Sequence, residues 1–125
     1  MTDRTKVYFD GGCRPNPGAI EVAVVAKGQA TIRRDLGDGG NGDAEWLALI
    51  EGLTVALSMG LADFVLLGDA SNVVAKANGT MKCRDADAPY LERFRTLAGG
   101  IAPRVRYIKR QQNLAGIALS QTHGR

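Results

Sequence analysis

The chain has 125 residues, 45% of them hydrophobic, and a formal net charge of +3. That length suffices to bury a core without disulfide staples and predicts one domain over residues 1–125. Cys13 and Cys83 have no Cys or His neighbour at ligand spacing, no apolar run of about 18 residues exists, and Met1 to Arg4 lack a signal-peptide pattern, so neither a zinc site nor a disulfide framework is indicated, no membrane span is expected, and a soluble, cytoplasmic protein is expected.

Residues 4–10 read as a first strand, in which the run Val7-Tyr8-Phe9 ends on Asp10 and a glycine- and proline-rich turn follows from Gly11 to Gly18. A carboxylate at a strand end is held by a rigid element and faces a loop whose backbone can approach a ligand, because Gly11 and Gly12 lack side chains. Residues 19–27 and 29–36 give a second and a third strand, and short connections make the three an antiparallel meander. Gly37 to Gly42 read as a flexible loop. Asp43 then reads as the N-cap of a helix over Ala44 to Met59, stopped by Gly60, which puts Glu45 in the first turn.

Phe64 to Leu67 form a short apolar strand ending at Gly68-Asp69, followed by a helix over residues 70–78. A long helix before a buried strand is the crossover pattern that sets this strand parallel to the first. Asp69 and Asp10 then emerge at the same edge of the sheet, where ligand sites of open α/β sheets gather. Thr80 to Ala88 read as a loop, Pro89 to Leu97 as a helix, Arg104 to Lys109 as a last strand and residues 113–121 as a closing helix.

Charge is distributed unevenly. Residues 1–75 hold six Lys/Arg against ten Asp/Glu, whereas residues 76–125 hold ten against three. An anionic polymer gripped by the basic half, with metal ions held by carboxylates in the acidic half, accounts for both. Asp10, Glu45 and Asp69 converge from separate elements, and like charges so placed call for a cation. Oxygen donors suit Mg²⁺ or Mn²⁺, and two such ions can bind a phosphodiester, activate water and stabilise the leaving oxygen.

The segment from Tyr8 to Gly18, the stretch Asn41-Gly42-Asp43-Ala44-Glu45 opening a helix, and Gly68-Asp69-Ala70-Ser71 ending a strand together resemble a type 1 ribonuclease H. The resemblance implies an α/β ribonuclease H-like fold, a five-stranded mixed sheet of three antiparallel and two parallel strands flanked by helices. It further implies metal-dependent endonucleolytic cleavage of the RNA strand of an RNA/DNA hybrid, leaving 5′-phosphate and 3′-hydroxyl ends. By motif position Asp10, Glu45 and Asp69 are implied metal ligands, with Asp10 bridging two ions, and Glu45 is placed to sense the RNA 2′-hydroxyl. Gly11, Cys13, Asn16 and Asn41 match positions along the hybrid's backbone and minor groove; Ser71 replaces a larger polar residue. A monomer is expected.

The family adds a fourth carboxylate near the last helix, and this chain departs there. Direct alignment of Arg110 and Asn113 with the family pattern puts Ile117 at that position, whereas a four-residue shift puts Asn113 there. The shift is preferred, because Asn offers a carbonyl oxygen and is also a good N-cap. A basic handle and a histidine-bearing loop are absent as well. Lys82, Arg84, Arg93 and Arg95 replace the handle only in part, His123 is read as a disordered terminal residue, and Arg110 is a candidate to assist phosphate departure. The alternative reading is a binding module of the same fold that grips hybrid or double-stranded RNA without cutting it. A fragment of a reverse transcriptase is disfavoured, on the expectation that the chain starts and ends near the domain's limits.

Overall fold

Val7 and Phe9 are buried on one face of a ten-residue strand, β1 (Thr5–Arg14), while Tyr8 and Asp10 point to the other, the two-residue period of extended backbone. The computed structural model describes residues 4–123; Met1 to Asp3, read above for a leader pattern, lie outside the described residues. β2 (Gly18–Ala26) runs antiparallel to β1, from Val7 opposite Ala26 to Arg14 opposite Ala19. β3 (Gln29–Arg33) follows through a two-residue turn in which Lys27 and Gly28 both have positive φ, the hand that matches strand twist.

The remaining elements are β4 (Asp38–Gly39), α1 (Asn41–Ser58), β5 (Phe64–Gly68), α2 (Ser71–Ala77), α3 (Ala88–Ala98), β6 (Arg104–Tyr107), a 3₁₀ turn over Arg110–Gln112 and α4 (Leu114–Gln121). β5 pairs parallel to β1, and β6 parallel to β5, giving the order β3-β2-β1-β5-β6. The mixed sheet of three antiparallel and two parallel strands is therefore present. A sixth, two-residue strand joins it, because β4 pairs with Gly18 and Ala19 where a flexible loop was expected.

The larger core lies between the sheet and α1, where Trp46, Leu49 and Leu53 meet Phe9, Leu66 and Val105. A smaller one under α4 joins Ala23, Val25, Ala115 and Leu119. Two apolar faces explain why β2 is buried along most of its length. Among the described residues no helix is long and apolar enough to cross a membrane.

Further local expectations are corrected, and the third strand stops at Arg33 rather than at residue 36. The first strand continues four residues past Asp10, because β1 and β2 stay paired through Gly11, Gly12 and Cys13 and the turn begins only at Pro15. The first helix begins at Asn41 with Gly40 as N-cap, and Asp43 sits inside it with its carboxylate turned back to the Gly40 N–H at 2.9 Å. Glu45 accordingly lies just beyond the first turn.

Candidate active site

Strand register places the first two carboxylates. β1 and β5 pair from Thr5–Phe64 to Tyr8–Leu67, and two further residues along each strand bring Asp10 level with Asp69, just past the end of β5. Glu45 joins them from α1, which crosses β1 at Gly11. A Cβ on Gly11 would lie 2.2 Å from the Ala44 carbonyl oxygen, so only glycine permits that approach. Gly68 plays the same part for Phe9, whose ring would stand 2.4 Å from an added Cβ. The glycine expected to admit a ligand thus admits a helix first.

Asp10, Glu45 and Asp69 line a single cleft of about 570 Å³, together with Asn41 and Arg110. Burial, then the charges of Asp69 and Glu45, raise the Asp10 pKa from 3.8 to about 7, against the opposing pull of Arg110 and the Gly11 backbone N–H. Burial and Asp69 also raise Glu45, and Arg110 again acts in the opposite direction. The carboxylates face the cleft without closing into a cage: among the described residues no group of three or more His, Cys, Asp or Glu side chains forms a ready-made metal site. That openness suits a hard cation which keeps several waters and takes few protein ligands.

At the fourth wall Asn113 lies beneath the cleft, against Asp69. Asn113 is fully buried, and its amide oxygen accepts the Ala115 N–H at 3.0 Å, capping α4. Its NH₂ group donates to the Phe9 carbonyl at 3.0 Å and to Asp69 Oδ2 at 3.2 Å. The oxygen expected to face a metal is thus turned to backbone, and Asn113 orients Asp69. Gly116, Ile117, Ser120 and Gln121 line the cleft from α4, and Ile117 is the residue that the direct alignment put at the fourth position. Gly116 brings α4 close to Asp10, since a Cβ there would sit 3.5 Å from Asp10 Oδ2.

Other expected residues divide. Gly11 and Asn41 line the cleft. Cys13 is buried, with its thiol 3.3 Å from Asn41 Oδ1 and 3.4 Å from Asn16 Oδ1, so it orients the two asparagines. Ser71 is exposed at the start of α2 and is not part of the cleft wall. His123, read as a disordered end, instead pairs with the buried Glu21 of β2, which also accepts from Arg34 at 3.4 Å. Sequence reasoning missed Gly116 as a cleft residue, although it lies within one helical turn of Asn113.

Comparison with known proteins places these observations in context. A family model described as reverse transcriptase-like matches residues 9–123. The chain is 36% identical over 93 residues to a ribonuclease HI of Halobacterium salinarum, a match covering 67% of this chain and 45% of that protein, so the chain spans about half the length of that relative. Among solved structures it resembles the RNase H1 of the halophilic archaeon Halobacterium salinarum NRC-1, with a TM-score of 0.82, 30% identity and 94% of each chain covered. It is similar in fold to the N-terminal RNase H domain of a Mycobacterium tuberculosis protein, with a TM-score of 0.78 and 23% identity over 98% of this chain and 100% of that one. A compost-derived LC11-RNase H1, solved in complex with RNA/DNA hybrid, gives a TM-score of 0.76 at 22% identity over 93% of both chains.

Proposed function

The chain belongs to the type 1 ribonuclease H family, and from that membership we propose that it is a metal-dependent endonuclease hydrolysing the RNA strand of RNA/DNA hybrids to leave 5′-phosphate and 3′-hydroxyl ends. The observation that carries this reading is the convergence of Asp10, Glu45 and Asp69 on one cleft, with Asp10 raised to about 7 by burial and its two neighbours.

Oxygen-only donors that repel one another fit a divalent cation, and Asp10, Glu45 and Asp69 would hold Mg²⁺ or Mn²⁺, as a pair of ions in the fuller form of this proposal. Bound there, such ions supply Lewis-acid polarisation of a phosphodiester and a water of lowered pKa. The protein's own groups bind and orient. Arg110, on the same cleft, offers a planar fork of donors to a phosphate oxygen. Asn113 holds Asp69 through its NH₂ group, and Cys13 holds the amides of Asn16 and Asn41 where the hybrid's backbone would pass. Glu45 can accept from a 2′-hydroxyl, the group that separates RNA from DNA. In this reading the protein acts as a cytoplasmic monomer, and the basic half of the chain grips phosphates.

One observation favours a second reading. The α4 side of the cleft is Gly116, Ile117, Ser120 and Gln121, with no carboxylate, so a hybrid-binding module that does not cut is the competing function. Incubation with an end-labelled hybrid, beside single-stranded RNA, duplex RNA and duplex DNA, over Mg²⁺ and Mn²⁺ series, separates them. Metal-dependent cutting of only the hybrid's RNA strand, lost in Asp10→Asn, supports the enzyme. Binding of hybrid at every metal concentration without cutting supports the module.

A further inference from the structure

Asp43 uses both carboxylate oxygens within the protein. Oδ2 accepts the Gly40 N–H at 2.9 Å, and Oδ1 accepts the Tyr90 hydroxyl at 3.0 Å. Tyr90 comes from α3, far along the chain, and its ring stacks on Trp46 with centroids 6.2 Å apart and planes 11° apart. Trp46 is itself almost fully buried in α1, so the hydroxyl is delivered from a rigid platform. The ring provides packing, and the hydroxyl adds a directed bond to a charged acceptor.

The turn that Asp43 ties down presents Asn41 to the cleft. Asn41 follows Gly40 directly, its N–H donates to Asn16 Oδ1 at 3.3 Å, and its own Oδ1 lies 3.3 Å from the Cys13 thiol. That thiol has one hydrogen for two amide oxygens, those of Asn16 and Asn41, and it is a weak donor. The anchors on the cleft side are therefore long or shared. The short bonds that hold the turn are on the other side, through Asp43.

We infer that Tyr90 is a positioning residue for hybrid binding: through Asp43 it fixes the Gly40-Asn41 turn and holds the Asn41 amide at the wall of the cleft. The inference rests on the ribonuclease H reading and adds to it a residue of α3 outside the matched motifs. Without the hydroxyl the Asp43 carboxylate still reaches Gly40, but its orientation is no longer set, and Asn41 samples positions unsuited to the hybrid. Binding weakens, while the carboxylates of the cleft are undisturbed.

Steady-state cleavage by Tyr90→Phe, Asp43→Asn and the double variant tests this, with melting temperature and hybrid affinity by fluorescence anisotropy measured alongside. Tyr90→Phe keeps the ring on Trp46 and should raise KM about 3- to 10-fold with kcat within twofold, the loss of one hydrogen bond that serves binding. The double variant should be no worse than Asp43→Asn alone, because both changes break the same link. An unchanged KM in Tyr90→Phe, a fall in kcat that follows a fall in melting temperature, or additive effects in the double variant would each overturn the inference. If the wild-type protein binds hybrid without cutting, the enzyme reading fails but the same shift is expected in Kd. If it neither binds nor cuts, the positioning role falls with it.

Discussion

Burial and two neighbouring carboxylates oppose the ionisation of Asp10 and push its pKa up from 3.8 to about 7. The sign of its effect on stability follows. A folded-state pKa raised above 3.8 means that the folded protein keeps a proton which the unfolded chain loses, so the stability from this group is full below about pH 4 and is lost as pH rises through about 7. In EDTA, Asp10→Asn should therefore melt at a higher temperature than wild type at pH 8 and nearly with it at pH 4. The difference should be on the order of 1–2 kcal/mol once partial exposure is discounted, and differential scanning calorimetry at the two pH values would check it. The same variant should lose cleavage altogether. Asn113 gives the opposite case. Asn113→Asp removes both donors and sets a carboxylate against Asp69 and the Phe9 carbonyl, which should destabilise by roughly 2–4 kcal/mol, whereas Asn113→Ala should cost roughly 1–3 kcal/mol for the cap and the buried bonds. Urea denaturation of the two would show whether Asn113 orients or ligates: a stable Asn113→Asp that gained metal affinity would restore the ligand role. The residue type alone allowed both readings, since a side-chain oxygen that can cap a helix can also bind a cation.

At the scale of elements, the site depends on how closely α1 and α4 approach β1. Gly11→Ala places a methyl against the Ala44 carbonyl and must push α1 away from β1, with an expected cost of roughly 3 kcal/mol and loss of cleavage, because Glu45 moves with its helix. Gly12→Ala meets nothing within 4 Å and should be tolerated, so the pair is a controlled comparison by thermal melting and hybrid cleavage. α4 is pinned at both ends by polar contacts, Asn113 to Asp69 and His123 to Glu21, over a small apolar base of Ala115 and Leu119. Strands and helices were legible from the chain because apolar spacing is a local property. The end of the first strand was not, since Gly11-Gly12 and the prolines after it read as a turn, while pairing with β2 and the pressure of α1 keep that stretch extended. β4 was illegible for a related reason: two residues hold a strand only when a neighbour offers its edge.

Across the whole molecule, the acidic first part supplies the cleft carboxylates and the basic later part supplies Arg110 beside them. If phosphates are held by that basic part, hybrid affinity of Asp10→Asn should fall with salt, at a slope of log K against log salt on the order of −0.9 for each phosphate neutralised. A slope near zero would separate binding from charge. Topology explains why Asp10 and Asp69 meet. The α1 crossover makes β5 parallel to β1, and parallel neighbours carry the residues just beyond their shared pairing to one edge. The chain by itself determined the mixed sheet, the order of its elements and the choice of Asp10, Glu45 and Asp69 as candidates that the fold then brings to one cleft, because hydrophobic period and motif spacing are written along the backbone. Only the tertiary structure decided that Ile117 and Gly116 face the cleft while Asn113 lies beneath it, that His123 closes on Glu21, and that Tyr90 reaches Asp43. Those pairings join residues distant in the chain, and packing chooses among partners of equal chemical fitness by which of them the fold brings within reach.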